Sequence, residues 1–208
     1  MPLAVLFRDH GLAVVDKPAG LAVDEDVLPL AARELGPQGG RAWPRVVHRL
    51  DRGTSGCLLL ALRKQAEEEL KRAFEQGEVE KTYLTIVQGA PPPAAEIDTP
   101  YGHMQNDRYQ FTTHVITARR ARLSYEVVER LQGAALLKVT LDTGRTHQIR
   151  VQLAESGFPV LGDDTYGGPR ETRLMLHAER LAFPHGGRRI ECVAPLPDEL
   201  RAALVRLR

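Results

Sequence analysis

Short apolar runs separated by turn residues dominate the chain, and they predict more strands than helices. Residues 12–15 and 57–62 are apolar runs of the length expected for buried strands. Residues 123–128 and 135–141 are similar runs on either side of a Gln-Gly turn, so we expect them to lie side by side. Several strands with short connections favour an α+β fold with a mostly antiparallel sheet.

Helical periodicity is clearest at residues 64–76. Apolar residues recur there at i, i+4, i+7 and i+8 and form one face, and Gly77 follows as a stop signal. A shorter helix is predicted at residues 146–155, and a last one begins at Pro197, where acidic residues follow the proline. Residues 36–45 are rich in glycine and proline and predict a loop.

Composition excludes several classes of protein. The 208 residues are 43% hydrophobic and 26% charged, which is typical of a globular protein of one domain. A net charge of +1 gives no general attraction for nucleic acid, so any RNA binding must depend on local residues. The two cysteines form no metal motif and are expected to be reduced thiols. Without a basic leader or a long apolar span, the sequence predicts a cytoplasmic protein with no membrane segment.

The most unusual segment for its chemistry is residues 47–56. Asp51 stands close to Arg49 and Arg52, and a Gly/Thr/Ser turn leads into an apolar strand. Flanking cations favour an ionised carboxylate, which this loop would present as a nucleophile beside phosphate-binding groups. The charge pattern alone leaves open an ordinary surface aspartate in ion pairs.

Two further segments carry polar side chains at turns. In residues 142–150 a strand leads into a helix, where His147 and Arg150 would share one face; a capped helix with a structural arginine explains this equally well. In residues 161–168 the adjacent Asp163 and Asp164 lack the spacing of a calcium loop and indicate a structural turn. The histidines are scattered and no phosphate-binding glycine loop is present, so we predict no metal and no cofactor.

Taken together, these segments resemble the RluA-type pseudouridine synthases, and the resemblance spans nearly the whole chain. The signature loop of that family is matched by HRLDRGTSG at residues 48–56. Other family motifs are matched in the same order by VVDKPAGL at 14–21, KTY at 81–83, GRTHQIR at 144–150, LGD at 161–163, YG at 166–167 and LHA at 176–178. Local arginines at 119, 120 and 122 would add phosphate contacts.

The resemblance implies a mixed, mainly antiparallel sheet with flanking helices and a central active-site cleft, in a single catalytic domain over residues 1–208. It implies that Asp51 is the catalytic aspartate, attacking either C6 of the uracil or C1′ of the ribose. Arg150 would pair with Asp51, and Tyr83 would lie against the uracil. Arg49 would hold the RNA or fill the space of the extruded nucleotide. Further substrate-binding residues are implied at Arg52, Leu50, Ile149, His147 and Leu176.

The implied activity is isomerisation of uridine in ribosomal or transfer RNA, with no cofactor and no metal. The expected partner is RNA, as a compact stem-loop, and a monomer is the default state. Two departures from the family pattern are visible. Gln152 replaces a histidine common in relatives, and the chain begins at the first catalytic strand with no N-terminal S4 domain.

Two other functions remain open from the sequence. A catalytically silent RNA-binding or RNA-folding factor would use the same scaffold, although retention of Asp51, Tyr83 and Arg150 argues against it. An unrelated hydrolase with a carboxylate nucleophile is disfavoured, because it would not explain the ordered motifs.

Overall fold

The short apolar runs form strands and the periodic segments form helices in the computed structural model, which describes residues 2–36, 44–105, 107–117 and 119–208. Within these ranges the strands are β1 (Ala4–Arg8), β2 (Leu12–Lys17), β3 (Arg45–Val46), β4 (Ser55–Ala61), β5 (Glu80–Gln88), β6 (Ala94–Pro100), β7 (Gly102–Met104), β8 (Asp107–Thr112), β9 (Arg120–Leu131), β10 (Ala134–Leu141), β11 (Leu176–His185) and β12 (Arg188–Val193). The helices are α1 (Leu28–Leu35), α2 (Lys64–Glu75), α3 (Gln148–Glu155) and α4 (Asp198–Leu207), and a π-helical turn at Val23–Val27 precedes α1.

The chain divides into two units. The first unit contains Met1–Lys81 and Ala178–Pro195, and the second contains Thr82–His177 and Leu196–Arg208.

In the first unit, β2 pairs antiparallel with β1 on one side and with β4 on the other. The seven residues of β4 are all buried, which agrees with the apolar run that begins at Cys57. The apolar face of α2, formed by Ala66, Leu70 and Ala73, packs into a core that also contains residues of β2, β4, β11 and β12. This core supports the segment between β3 and β4, which carries Asp51.

In the second unit, β10 pairs antiparallel with β5 and β9, and β9 pairs antiparallel with β6. A short hairpin of β7 and β8 forms a separate sheet. Tyr101, Ala121 and Val151 form a small core on which Phe111 and Tyr166 pack. Val151 belongs to α3, so this core contacts the helix that carries Arg150.

The predicted α+β class with a mainly antiparallel sheet is confirmed, and so is the helix at 64–76. The helix predicted to begin at Pro197 is also confirmed and begins one residue later, at Asp198. The helix predicted at 146–155 begins at Gln148, two residues later than expected. Several elements were not predicted from the sequence, namely the π-helical turn, α1, β3, β6, β7, β8 and β11. Most of the predicted loop at 36–45 lies outside the described residues. No helix in the described ranges is long and apolar enough to cross a membrane.

Candidate functional site

Asp51 lies in the segment that connects β3 to β4. Its backbone carbonyl accepts a hydrogen bond from the Thr54 amide at 3.0 Å, which closes a tight turn directly before β4. Leu50 is only 7% exposed and anchors the turn in apolar surroundings, whereas Asp51 itself is partly exposed. The turn thus holds the Asp51 backbone at the end of a buried strand.

A buried lysine fixes the other side of this turn. Lys17, at the end of β2, is fully buried, and its ammonium donates to the carbonyl oxygens of Pro18 at 2.9 Å, Leu21 at 2.9 Å and Arg52 at 3.2 Å. The Gly20 amide donates to the same Arg52 carbonyl at 2.8 Å. A buried charge needs several hydrogen bonds to offset its desolvation, and here those bonds join residues 17–21 to residue 52.

His48 connects the start of the segment to the core. Its Nε2 accepts a hydrogen bond from the Leu59 amide at 2.9 Å, and its ring contacts the Phe74 ring at 5.2 Å between centroids. Desolvation, with a smaller contribution from the Lys81 charge, lowers the pKa of His48 from 6.5 to about 3. The imidazole therefore stays neutral at physiological pH and serves as an acceptor.

Arg49 and Arg52, on either side of Leu50 and Asp51, both point to the acidic π-helical turn at Val23–Val27. Arg49 Nη1 lies 2.6 Å from Asp24 Oδ2. Arg52 lies 2.8 Å from Glu25 Oε2 and 3.6 Å from Asp26 Oδ2. These side chains are exposed, so each ion pair contributes only about 0.2–1 kcal/mol and can be exchanged for another anion.

The segment before α3 in the second unit is held by a buried glutamine. Gln148 is 2% exposed; its Oε1 accepts from Thr143 Oγ1 at 2.8 Å and from the Arg145 amide at 3.0 Å. Its Nε2 donates to the Arg122 carbonyl at 3.0 Å. His147, the N-cap, is the only non-glycine residue with positive φ in the described ranges, at 58°. This left-handed conformation explains why the helix begins at Gln148 rather than at residue 146.

Arg150 is 8% exposed and forms a two-point ion pair with Asp163. Its Nε donates to Asp163 Oδ2 at 2.7 Å and its Nη2 donates to Oδ1 at 2.8 Å. Asp163 is 1% exposed and also accepts from the amides of Thr165 at 3.1 Å and Tyr166 at 3.2 Å. This pair was not predicted from the sequence, and the pairing of Arg150 with Asp51 stays a prediction.

Tyr166 contacts both Arg150 and His147, which are two of the residues predicted for the site. The Arg150 guanidinium carbon lies 5.1 Å from the Tyr166 ring centroid, within the range of a cation–π contact. The Tyr166 hydroxyl shares a hydrogen bond with His147 Nδ1 at 2.9 Å and accepts from the Phe111 amide at 3.2 Å. The Tyr101 hydroxyl donates to the Thr146 carbonyl at 2.6 Å and holds the same loop.

The remaining predicted residues of the second unit are buried. Tyr83 is 7% exposed and lies opposite Val139 in the β5–β10 pair. Ile149 is 4% exposed and Leu176 is 3% exposed. Gln152, which stands in place of a histidine common in relatives, donates to Thr99 Oγ1 at 2.8 Å and to a backbone carbonyl of β9 at 3.0 Å.

Outside these segments, Arg120 and Arg122 point from β9 to one carboxylate, Asp98 of β6, at 2.9 and 3.1 Å. Among the described residues no group of three or more His, Cys, Asp or Glu side chains has the arrangement of a metal site.

Sequence reasoning missed three features of these segments: the buried Asp163, the central position of Tyr166, and the acidic partners of Arg49 and Arg52. The LGD and YG motifs were visible signals for Asp163 and Tyr166. The run Asp24-Glu25-Asp26 was a signal for the third feature. However, these acids pair with arginines that lie 25 to 27 positions further along the chain, and such pairing depends on the fold.

A family model, known sequences and solved structures all match this chain to RNA pseudouridine synthases. The family model described as RNA pseudouridylate synthase matches residues 11–155. An uncharacterized RNA pseudouridine synthase of Mycobacterium bovis is 37% identical, over 99% of this chain and 73% of its own length. A ribosomal large subunit pseudouridine synthase D of Nitrosomonas europaea is 36% identical, over all of this chain and 66% of its own length.

Two solved structures of RNA pseudouridylate synthase domain proteins are also similar to this chain. The human RNA pseudouridylate synthase domain containing 1 has a TM-score of 0.83 at 26% identity, covering 94% of this chain and 84% of that one. The human RNA pseudouridylate synthase domain containing 4 has a TM-score of 0.82 at 27% identity, covering 98% of this chain and 92% of that one.

Proposed function

Because the chain belongs to the family of RNA pseudouridylate synthases, we propose that it isomerises particular uridines of ribosomal or transfer RNA, with Asp51 as the catalytic carboxylate. The observation that carries this assignment is the HRLDRGTSG segment. Its turn holds the Asp51 backbone between the buried β4 and the Lys17 hydrogen bonds. A residue whose backbone is held in this way suits a nucleophile that must meet a single atom of its substrate.

The reaction rearranges one nucleotide without oxidation or hydrolysis. The uridine is first extruded from its stack, at a cost of a few kcal/mol. The Asp51 carboxylate then attacks C6 of the base or C1′ of the ribose, and the N1–C1′ bond breaks. The base turns, C5 bonds to C1′, the C5 proton passes to solvent, N1 takes up a proton from solvent, and the aspartate is released unchanged. The product is an isomer of the substrate, so no co-reactant is needed.

Other residues supply the surroundings of this carboxylate. We assign to Arg150 the ion pair that keeps Asp51 anionic, and to Tyr83 the face on which the uracil lies. Stacking of a base on an aromatic ring contributes about 1–3 kcal/mol and offsets the cost of extrusion. Burial of Tyr83 at 7% exposure supports a packed ring rather than a surface one.

RNA is held, in this proposal, by the charged and apolar residues next to the reacting groups. Arg49 and Arg52 contact phosphates after exchanging their present carboxylate partners. Apolar walls of the uracil site are formed by Leu50, Ile149 and Leu176, and His147 contacts the nucleotide or its neighbour.

The substrate is a compact stem-loop of ribosomal or transfer RNA. The name of the Nitrosomonas europaea relative, a ribosomal large subunit enzyme, supports ribosomal RNA as the first candidate. The chain acts as a monomer in the cytoplasm, where both RNA classes are found, and residues 1–208 work as one catalytic domain.

The test compares wild type with Asp51→Asn, and with Asp198→Asn as the control, since the Asp198 side chain is 96% exposed on α4. Unmodified ribosomal and transfer RNA are incubated with each protein. New pseudouridines are mapped by carbodiimide labelling and primer extension, and RNA affinity is measured by filter binding. We expect Asp51→Asn to bind RNA within about threefold of wild type and to form no pseudouridine, because Asn lacks the anionic nucleophile.

Two results would contradict the proposal. Full turnover by Asp51→Asn would remove Asp51 from the chemistry. RNA binding without pseudouridine formation by wild type, on either RNA pool, would favour the catalytically silent RNA-binding factor.

A further inference from the structure

Asp163 is a buried carboxylate, only 1% exposed, and its interactions with Arg150 are directional. Both of its oxygens accept from the guanidinium, at 2.7 and 2.8 Å, through Nε and Nη2. A carboxylate that meets two nitrogens of a guanidinium fixes the plane of that group as well as its position. The position of Nη1 is then set by covalent geometry.

The loop around Asp163 is itself rigid. Its Oδ1 accepts from the amides of Thr165 and Tyr166. The Gly168 amide donates to the Asp163 carbonyl at 2.8 Å, and the Asp163 amide donates to Val160 at 3.2 Å. The loop therefore fixes the position of the Asp163 carboxylate, and the carboxylate in turn fixes the orientation of the Arg150 guanidinium.

Tyr166 restricts Arg150 from a second direction. Its ring lies 5.1 Å from the guanidinium carbon, and its hydroxyl is held by His147 at 2.9 Å. An arginine side chain has a large rotamer entropy, and most of that freedom is removed here before any substrate binds. Such preorganisation is useful for a group that must point at a developing or permanent charge.

We propose that Asp163 is a positioning residue for the isomerisation: it holds the Arg150 guanidinium in the orientation in which Arg150 pairs with the catalytic carboxylate. The inference rests on the proposed function, because it takes the roles of Arg150 and Asp51 from it. It assigns to the LGD motif a role in the reaction rather than in the turn alone.

The experiment measures kcat and KM on a defined RNA substrate for Asp163→Asn and Asp164→Asn. Asp164 is exposed in the same loop and makes a matched control for charge and position. Asn at 163 keeps one acceptor and turns the other into a donor, so the two-point pair is lost. We expect kcat to fall about a hundredfold, as for an ångström-scale misplacement of a catalytic group, with KM within about threefold. Asp164→Asn should keep both constants.

A double-mutant cycle separates positioning from a general structural role. Arg150→Lys keeps the charge but cannot make the two-point pair. If Asp163 acts through Arg150, adding Asp163→Asn to Arg150→Lys lowers kcat by less than about threefold further. If Asp163 only supports the loop, the two losses multiply. Should Asp163→Asn fail to fold, Asp163→Glu replaces it, since Glu keeps the carboxylate but displaces the guanidinium and lowers kcat at constant KM.

Each result has a distinct meaning. Unchanged kcat in folded Asp163→Asn or Asp163→Glu, or multiplicative losses in the cycle, overturns the role of Asp163 while the isomerase stands. Absence of pseudouridine formation by wild type overturns the proposed function and the positioning role with it.

Discussion

Replacing Gly56 with alanine should destabilise the first unit strongly, because two independent costs coincide at this position. Gly56 has a φ of 110°, and a Cβ there would lie 2.2 Å from the Ala178 carbonyl oxygen, where ordinary contact begins at 3.4 Å. The backbone strain costs about 1–3 kcal/mol. Movement of the strands away from the new methyl weakens ladder hydrogen bonds, each worth about 1 kcal/mol. With about two such bonds weakened, the total is about 4 kcal/mol.

Gly77 provides the matched control for the strain alone. It lies in the same unit with a φ of 72°, and a Cβ built on it meets no atom within 4 Å. Gly77→Ala should therefore cost about 1 kcal/mol. At about 2–4 °C per kcal/mol for a chain of this size, the expected losses in Tm are about 8–16 °C for Gly56→Ala and about 2–4 °C for Gly77→Ala.

Thermal unfolding followed by circular dichroism, with a urea titration for the free energy of unfolding, measures both variants under the same conditions. If Gly56→Ala and Gly77→Ala unfold within about 2 °C of each other, the close approach of β4 to Ala178 does not limit stability. The reasoning from the Cβ position would then be wrong.

Three further predictions concern titration, RNA binding and thiol reactivity. The folded His48 has a pKa of about 3 against 6.5 unfolded, so protonation favours the unfolded chain as pH falls below 6.5; at most about 2 kcal/mol of stability is lost by pH 5. Urea titrations at pH 7.5 and 5.0 should show a smaller difference for His48→Gln, and an equal difference would contradict the assignment. Asp24→Asn releases Arg49 and removes a negative charge near phosphates, so RNA affinity at low salt should rise about two- to fivefold in filter binding; unchanged affinity would count against RNA contact by Arg49. Burial raises the pKa of Cys57 to about 12 and also raises that of Cys192. A thiol reagent at pH 8 should therefore label both only after denaturation, and rapid labelling of the native protein would contradict their burial.

Elements with a strong apolar signal could be predicted from the sequence. The helix α2 has one apolar face of regular spacing, and β4 is a continuous apolar run, so both were found within two residues of their bounds. The strand β6 (Ala94–Pro100) was not predicted because its residues alternate between exposed and half-buried and its last residue is a proline. Its conformation depends on pairing with β9, which no local pattern specifies.

The candidate site could likewise be predicted from the sequence only in part. The motif order indicated Asp51 and Arg150, and the resemblance paired these two residues, whereas the ion pair of Arg150 with Asp163 rather than Asp164 was not predicted. Both are acidic neighbours in a glycine-bounded loop, and only the fold makes one buried and the other exposed. The left-handed His147 was equally hidden, because a positive φ outside glycine is set by tertiary contacts such as the one with Tyr166.

Tritium release from RNA labelled at C5 of uridine tests the central claim most directly. Formation of the C5–C1′ bond displaces the C5 hydrogen to water, so release reports the isomerisation itself and no other step. Wild type and Asp198→Asn should release tritium from unmodified ribosomal or transfer RNA, and Asp51→Asn should release none above background. Release by Asp51→Asn at the wild-type rate would contradict the assignment of Asp51, and no release by wild type from either RNA would contradict the proposed activity.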